Sequence, residues 1–377
     1  MPNKLLKYNV MIYVLGLFFS LVVFNTTYLQ LGTILPILIM TFFYILIIVG
    51  NRKLKIEKYR ISFLLMAIVL FLVTTFNDGD DYRVIFKVVI LSIFYMIATS
   101  IEYNEKEVCF FIRFIVYSYL IYALYLLFGI ERNEHYSRET LIIFGSELDP
   151  NIVAAVFVLP IVILLYNILY STNHKIINLI LLLFFVLAVV ITGSRGGFVG
   201  MLLSLMILLY AYMSDKLVKP SYKIVTIIFI VLIFWLIYTY LSLFYTDYLT
   251  RSMSFTGDTG GGDGRTSIWS ERLSYLMDSP LWGCGMIFDR GLWRGWANHN
   301  TYVQVLYGAG TIGITLFLVP IIVVFRRSKS RILMLSLFFS VFIPIFFLDT
   351  LDNRLLWNGL IIFDILSKHN LKKALLI

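Results

Sequence analysis

The residue best suited to chemistry is His299, in Asn298-His299-Asn300-Thr301-Tyr302, at the head of an apolar run. Imidazole is the side chain that most readily takes a proton near neutral pH, so His299 is a candidate general base. Two guanidiniums precede it, Arg195 in Ser194-Arg195-Gly196-Gly197 and Arg265 in Gly264-Arg265-Thr266-Ser267-Ile268-Trp269. A guanidinium presents a planar fork that matches phosphate oxygens. A base with two such forks suits group transfer from a phosphate-bearing donor. Taken alone, His299 also fits a helix-start histidine satisfied by water and Asn298, and Arg195 fits a snorkelling side chain in a tight hairpin. His135, His174 and His369 lie in loops or the tail without ligand spacing, so no metal site is expected.

These residues must be positioned by membrane helices. Of the 377 residues, 60% are hydrophobic and 14% charged, too few charges to solvate a soluble domain of this size. Apolar runs long enough to cross a bilayer recur along the chain, and backbone in lipid must pair within its own segment. The expected fold is all-α: one polytopic bundle of about twelve transmembrane helices over residues 1–377, with one long outer loop at 246–298. The spans are expected at 8–24, 33–50, 61–76, 84–101, 109–129, 151–170, 176–192, 197–213, 223–245, 300–325, 332–348 and 354–367. The first is read as a retained helix, because no small-x-small cleavage site follows it.

Charge sets the orientation. Lys4 and Lys7, the cluster from Arg52 to Arg60, Lys216 with Lys219 and Lys223, Arg326 to Arg331, and Lys368 with Lys372 and Lys373 fall on alternate loops. The positive-inside rule makes that side cytoplasmic, with both termini inside. The net charge of +9 is then topology and contact with anionic lipid, and no nucleic-acid partner is expected. The opposite side carries ten basic residues, all arginine: Arg83, Arg132, Arg138, Arg195, Arg251, Arg265, Arg272, Arg290, Arg294 and Arg354. Such a set suits a phosphate-bearing ligand, although pairing with outer carboxylates accounts for it equally well.

Several local patterns refine this picture. Thr192-Gly193-Ser194-Arg195-Gly196-Gly197 joins two spans, and free N–H groups at the start of the second favour an anion there. The stretch Thr256–Gly264 is expected to be irregular. A short amphipathic helix follows, with Arg265 at its start, Ile268, Trp269, Leu273 and Leu276 on one face, and Pro280 ending the run. No Gly-Lys-Ser/Thr completes a nucleotide-binding loop. Asp78-Gly79-Asp80-Asp81 is read as a turn and cap cluster rather than a cation site. Asp149-Pro150-Asn151 is read as a capped helix start, and Asp349, Asp352 and Arg354 as a solvated rim. Cys109 and Cys284 are expected too far apart to bridge.

Three segments in order resemble the O-antigen ligase and O-antigen polymerase superfamily of bacterial membrane proteins. They are Thr192-Gly193-Ser194-Arg195-Gly196; Gly264 to Trp269 with Ser279-Pro280-Leu281-Trp282-Gly283-Cys284-Gly285; and His299-Asn300, nine residues, Gly310, two residues and Gly313. Asp149 to Ala154 also fits the family's span start, so the resemblance covers roughly residues 145–325. It implies transfer of a glycan from a polyprenyl pyrophosphate carrier to a sugar hydroxyl, at the outer face of the inner membrane, without metal or cofactor. Arg195 and Arg265 would correspond to pyrophosphate-binding arginines and His299 to the essential histidine. Arg138, Arg251, Ser194 and Asn300 are the further candidates for substrate binding.

The expected activity is polymerisation of a surface polysaccharide, O-antigen or capsule. Arg251 with Gly262 fits a polymerase-like spacing, and Ile314-Thr315 stands where the ligase pattern carries paired threonines. The alternative is a ligase that moves finished polymer to a lipid A core. A flippase of lipid-linked oligosaccharide is the alternative of another class, and it would place charges within the spans. Expected partners are the lipid-linked donor, the glycan acceptor, membrane lipids and a chain-length regulator.

Overall fold

The computed structural model describes residues 55–79, 81–128, 142–143, 146–171, 174–244, 262–287, 298–328 and 331–369, with 15, 16, 38 and 41. A 3-10 turn, Lys58–Arg60, leads into α1, Ile61–Phe76. Then follow α2 (Tyr82–Ser100), α3 (Glu105–Phe128), a two-residue antiparallel pair of β1 (Ile142–Ile143) with β2 (Ser146–Glu147), and α4 (Pro150–Tyr170). Next come α5 (Lys175–Ile191), α6 (Arg195–Ser214), α7 (Pro220–Phe244) and α8 (Gly262–Leu276). The chain closes with α9 (Thr301–Arg327), α10 (Arg331–Phe342), a 3-10 turn at Pro344–Phe347 and α11 (Arg354–Ser367). Among the described residues six helices are long and apolar enough to cross a membrane: Lys58–Phe76, Tyr82–Ser100, Glu105–Phe128, Pro150–Tyr170, Arg195–Ser214 and Thr301–Arg327.

Helices thus stand where the apolar runs place them, and short polar side chains set several of their starts. Asp149 accepts from the Asn151 amide with Pro150 in the first turn, Ser194 accepts from Gly197, and Asn353 accepts from Leu355. Each such cap contributes about 1 kcal/mol. The Asp78 to Asp81 turn behaves differently: Asp81 occupies the cap position of α2 without a side-chain bond, and Asp78 is left-handed at φ 53°. The expected span at 332–348 is divided, because Pro344 cannot continue the hydrogen-bond ladder of α10. The expected spans at 8–24 and 33–50 lie outside the described residues.

The described residues fall into two compact units. The first holds α1, α2, the start of α3, α8, α9 and α11. Its core is an aromatic knot in which Phe63 meets Tyr95, Trp357 and Phe317 edge-on at 5.2, 5.3 and 6.0 Å, so α1, α2, α9 and α11 converge there. At one end of the unit Arg60 is fully buried against Asp364, with Nε 2.9 Å from Oδ2 and Nη2 2.9 Å from Oδ1. His299 lies at the other end of α9.

The second unit is built on α4, which is buried along nearly its whole length and packs against α5 and α6. Gly197 lets α6 approach Ala154 of α4; a Cβ there would meet that methyl at 2.5 Å. Farther along α6, Gly200 abuts the Pro344 ring, and Ser336 of α10 donates to the Ser204 carbonyl at 2.7 Å.

Candidate functional site

His299 sits in the left-handed region at φ 50°, a conformation that costs a non-glycine residue about 1–3 kcal/mol and persists only when neighbours enforce it. The neighbours are specific. The Asp349 carboxylate accepts from the His299 amide (2.9 Å, Oδ2) and from the Asn300 amide (3.2 Å, Oδ1). Asn300 then caps α9, its Oδ1 accepting from Tyr302 and Val303 at 2.9 and 3.1 Å. Thr301 donates to the Leu348 carbonyl at 2.7 Å and accepts from the Thr350 amide at 2.9 Å. The loop ahead of α11 is thereby laced to the first turn of α9, with His299 at the junction.

Asp349 is therefore not part of a solvated rim, and neither is Arg354, which is buried. Burial pushes the Asp349 carboxyl above its ordinary range, while the amides of His299 and Asn300 and the proximity of His299 itself pull the other way. A partly buried carboxylate beside an imidazole is suited to stabilising the imidazolium that forms when His299 takes a proton. Nothing in the local sequence pairs Asp349 with His299 across 50 positions; the pairing arises from α9 and α11 packing together.

Helix α8 brings its own first turns to the same place. Trp269 donates from Nε1 to the Asn298 carbonyl at 2.7 Å and stacks edge-on with Phe346 at 5.5 Å. Arg265, half-buried, is one turn before Trp269 on α8. Two corrections apply to this helix. It begins at Gly262, inside the stretch expected to be irregular. Its buried stripe is Ile268, Arg272 and Leu276, whereas Leu273 is exposed; the spacing of four continues through an arginine because the Arg272 guanidinium lies 5.1 Å over the Tyr307 ring. Next to His299, Asn298 Oδ1 and Gln304 Oε1 are buried acceptors without a hydrogen bond.

In the second unit the Thr192–Gly197 turn has the form expected of it. Gly193 is left-handed at φ 58°, and Thr192 returns its hydroxyl to Val189. Ser194 is fully buried; it donates to Asn151 Oδ1 at 2.9 Å and accepts from the Gly197 amide at 3.2 Å. Arg195 is the first residue of α6 and is half-buried. Arg265, His299 and Asn300 share the first unit, and Ser194 and Arg195 belong to the second. Arg138 and Arg251 lie outside the described residues. No group of three or more His, Cys, Asp or Glu side chains suited to a metal occurs among the described residues. Cys109 and Cys284 are both free thiols.

The six helices long and apolar enough to cross a membrane suggest a multi-pass membrane protein; Arg195 opens one of them and His299 stands just ahead of another. Residues 179–318 match the family model described as O-antigen ligase, in agreement with the resemblance carried by the three ordered segments. Members of that family are glycosyltransferase-like enzymes. The matched segment runs from α5 into α9 and contains Arg195, Arg265 and His299. No curated protein and no solved structure matches the chain.

Proposed function

We propose that this protein is a polymerase of a bacterial surface polysaccharide, transferring a glycan from a polyprenyl pyrophosphate donor to a sugar hydroxyl at the outer face of the inner membrane. The observation that carries the proposal is His299, held in a strained backbone conformation by Asp349 inside the family-matched segment. Strain maintained by surrounding bonds is a mark of a working residue.

In this reaction His299 takes the proton from the attacking hydroxyl, a contribution of about 10²–10⁴-fold in rate. Asp349 stabilises the charge that appears on the ring. Buried acceptors such as Asn298 Oδ1 suit hydroxyls of the incoming sugar. The glycosidic bond to the pyrophosphate breaks as the new one forms, and the leaving group gains negative charge. Arg265 and Arg195 neutralise that charge, the term most strongly amplified in a low-dielectric site. Attack opposite the leaving group inverts the anomeric carbon. No metal or cofactor enters the scheme.

The ligase is the second reading, favoured by the description of the matched family. Ile314-Thr315, in place of paired threonines, favours the polymerase. Reconstitution distinguishes the two. Purified protein in liposomes with lipid-linked repeat units and EDTA should yield a ladder of lengthening lipid-linked glycan. Transfer only after a lipid A core is added would identify the ligase, and absence of product in both mixtures would remove the enzyme. Arg265→Ala should lower turnover at least about 100-fold. Arg195→Lys should also be poor, because a point charge does not replace a fork.

A further inference from the structure

The segment Ser279–Met286, placed by the sequence in an outer loop, is bonded into the middle of a membrane-spanning helix. Helix α9 is broken at Gly310, whose φ of 62° and ψ of −160° interrupt its ladder. The segment fills that break strand-fashion. Cys284 donates to the Tyr307 carbonyl at 2.7 Å and Gly285 to Gly308 at 3.0 Å. In return Thr311 donates to Pro280 at 2.9 Å and Ile312 to Leu281 at 3.2 Å. Backbone groups freed by a break would be unsatisfied in lipid, so the strap is what makes the break tolerable there. The approach is close: a side chain on Gly310 would strike the Leu281 carbonyl, and one on Gly283 would strike Tyr307 O.

Depth follows from the helix rise. Gly310 is nine residues past Thr301, which at about 1.5 Å per residue places it about 13 Å along α9. The 27 residues of α9 exceed a hydrocarbon core about 30 Å thick by only a few ångströms at each end. The strap therefore reaches well below the polar boundary. Its neighbours agree, since Gly308 faces Leu70 in α1 and Met286 donates to Thr74 Oγ1 at 2.9 Å.

The strap is also two-sided. Gly283, Cys284, Gly285 and Met286 are buried against α1 and α9. Leu281 and Trp282 point away and remain 59% and 54% exposed. Thr311, Thr315 and Ile322 of α9 are likewise exposed, and Thr315 returns its hydroxyl to the Thr311 carbonyl at 2.6 Å, as hydroxyls facing lipid do.

We infer that residues 279–286 form a re-entrant strap whose Leu281 and Trp282 contact the acyl chains of the leaflet on the His299 side. The inference rests on α9 spanning the membrane and is independent of the reaction. The test is depth-resolved quenching of the wild type and Trp282→Phe in lipid nanodiscs, so that the difference emission reports Trp282 alone. Lipids brominated high on the acyl chain should quench at least about half of that difference emission. If brominated lipids leave it unchanged, the strap lies in water or against a second protein copy, and the inference falls. Should Trp282→Phe be unstable, Leu281→Trp at the neighbouring exposed position of the strap provides the same reading as a gain of emission.

Discussion

Asp364 and Asp349 bracket the same helix, one in the last turn of α11 and the other in the loop before it, and the first unit treats them in opposite ways. Asp364 is fully buried and met by side chains: Arg60 through two bonds, Tyr59 at 3.0 Å, Tyr95 at 2.8 Å and the Lys368 ammonium at 3.5 Å. Every acceptor position is used, and the charge is cancelled locally. Asp349 is met by two backbone amides and beside them a histidine. Its charge is directed by these amides, and no arginine or lysine bonds to it among the described residues. The first arrangement is a joint that ties α1, α2 and α11 together. The second sets a conformation and retains electrostatic influence over the residue that it sets.

The contrast is open to direct attack. The largest effect should come from His299→Ala, which should reduce polymer formation in cells by about 10²–10⁴-fold with the protein still inserted and thermally unchanged; wild-type chain lengths would end the distinction between the two sites. Arg60→Met should do the reverse. Removing one partner of a buried pair costs about 3–5 kcal/mol, so its thermal midpoint in nanodiscs should fall while turnover per folded molecule holds. Adding Asp364→Asn should recover much of that loss, because the uncompensated charge disappears.

Asp349→Asn should be intermediate. Its amide nitrogen must face one of the two backbone donors, leaving an N–H unpaired at a cost of about 1–3 kcal/mol. Turnover should fall with little change in KM, since the substitution acts through His299; a purely structural role would lower the midpoint alone. The smallest effect is in pH. The folded-state value of Asp349 is raised, so its contribution to stability is present below the ordinary carboxylate range and lost as pH rises through the folded value. The stability advantage of the wild type over Asp349→Asn, followed by thermal midpoint across that interval, should shrink as pH increases.

Much of this architecture was legible in the residues. Hydrophobic runs located α1 to α7 and α9 to within a few positions, because backbone in lipid has few alternatives to the helix. Asp149 marked a helix start through ordinary capping chemistry, whereas Ser194 and Asn300, read as candidates for substrate binding, are seen as caps only in the structure. His299, Arg265 and Arg195 stand out in the sequence by type and place, and all three lie within the matched residues 179–318. What escaped notice was tertiary. Asp349 and Arg354 resemble solvent-facing loop residues until α11 is packed against its neighbours. Arg272 breaks an apolar stripe unless the Tyr307 ring is known to lie beneath it. Gly283 and Gly285 lie far from Gly310 in sequence, and only their contacts reveal that a loop completes the hydrogen bonding of α9.

The interruption of α9 has a mechanical corollary. Its nine-residue stub between Thr301 and Gly310 exchanges bonds with the strap and is laced to the Asp349 loop. Below Gly310 the ladder starts afresh. Force applied to the stub is shared with the strap and the Asp349 loop before it reaches the lower part of α9.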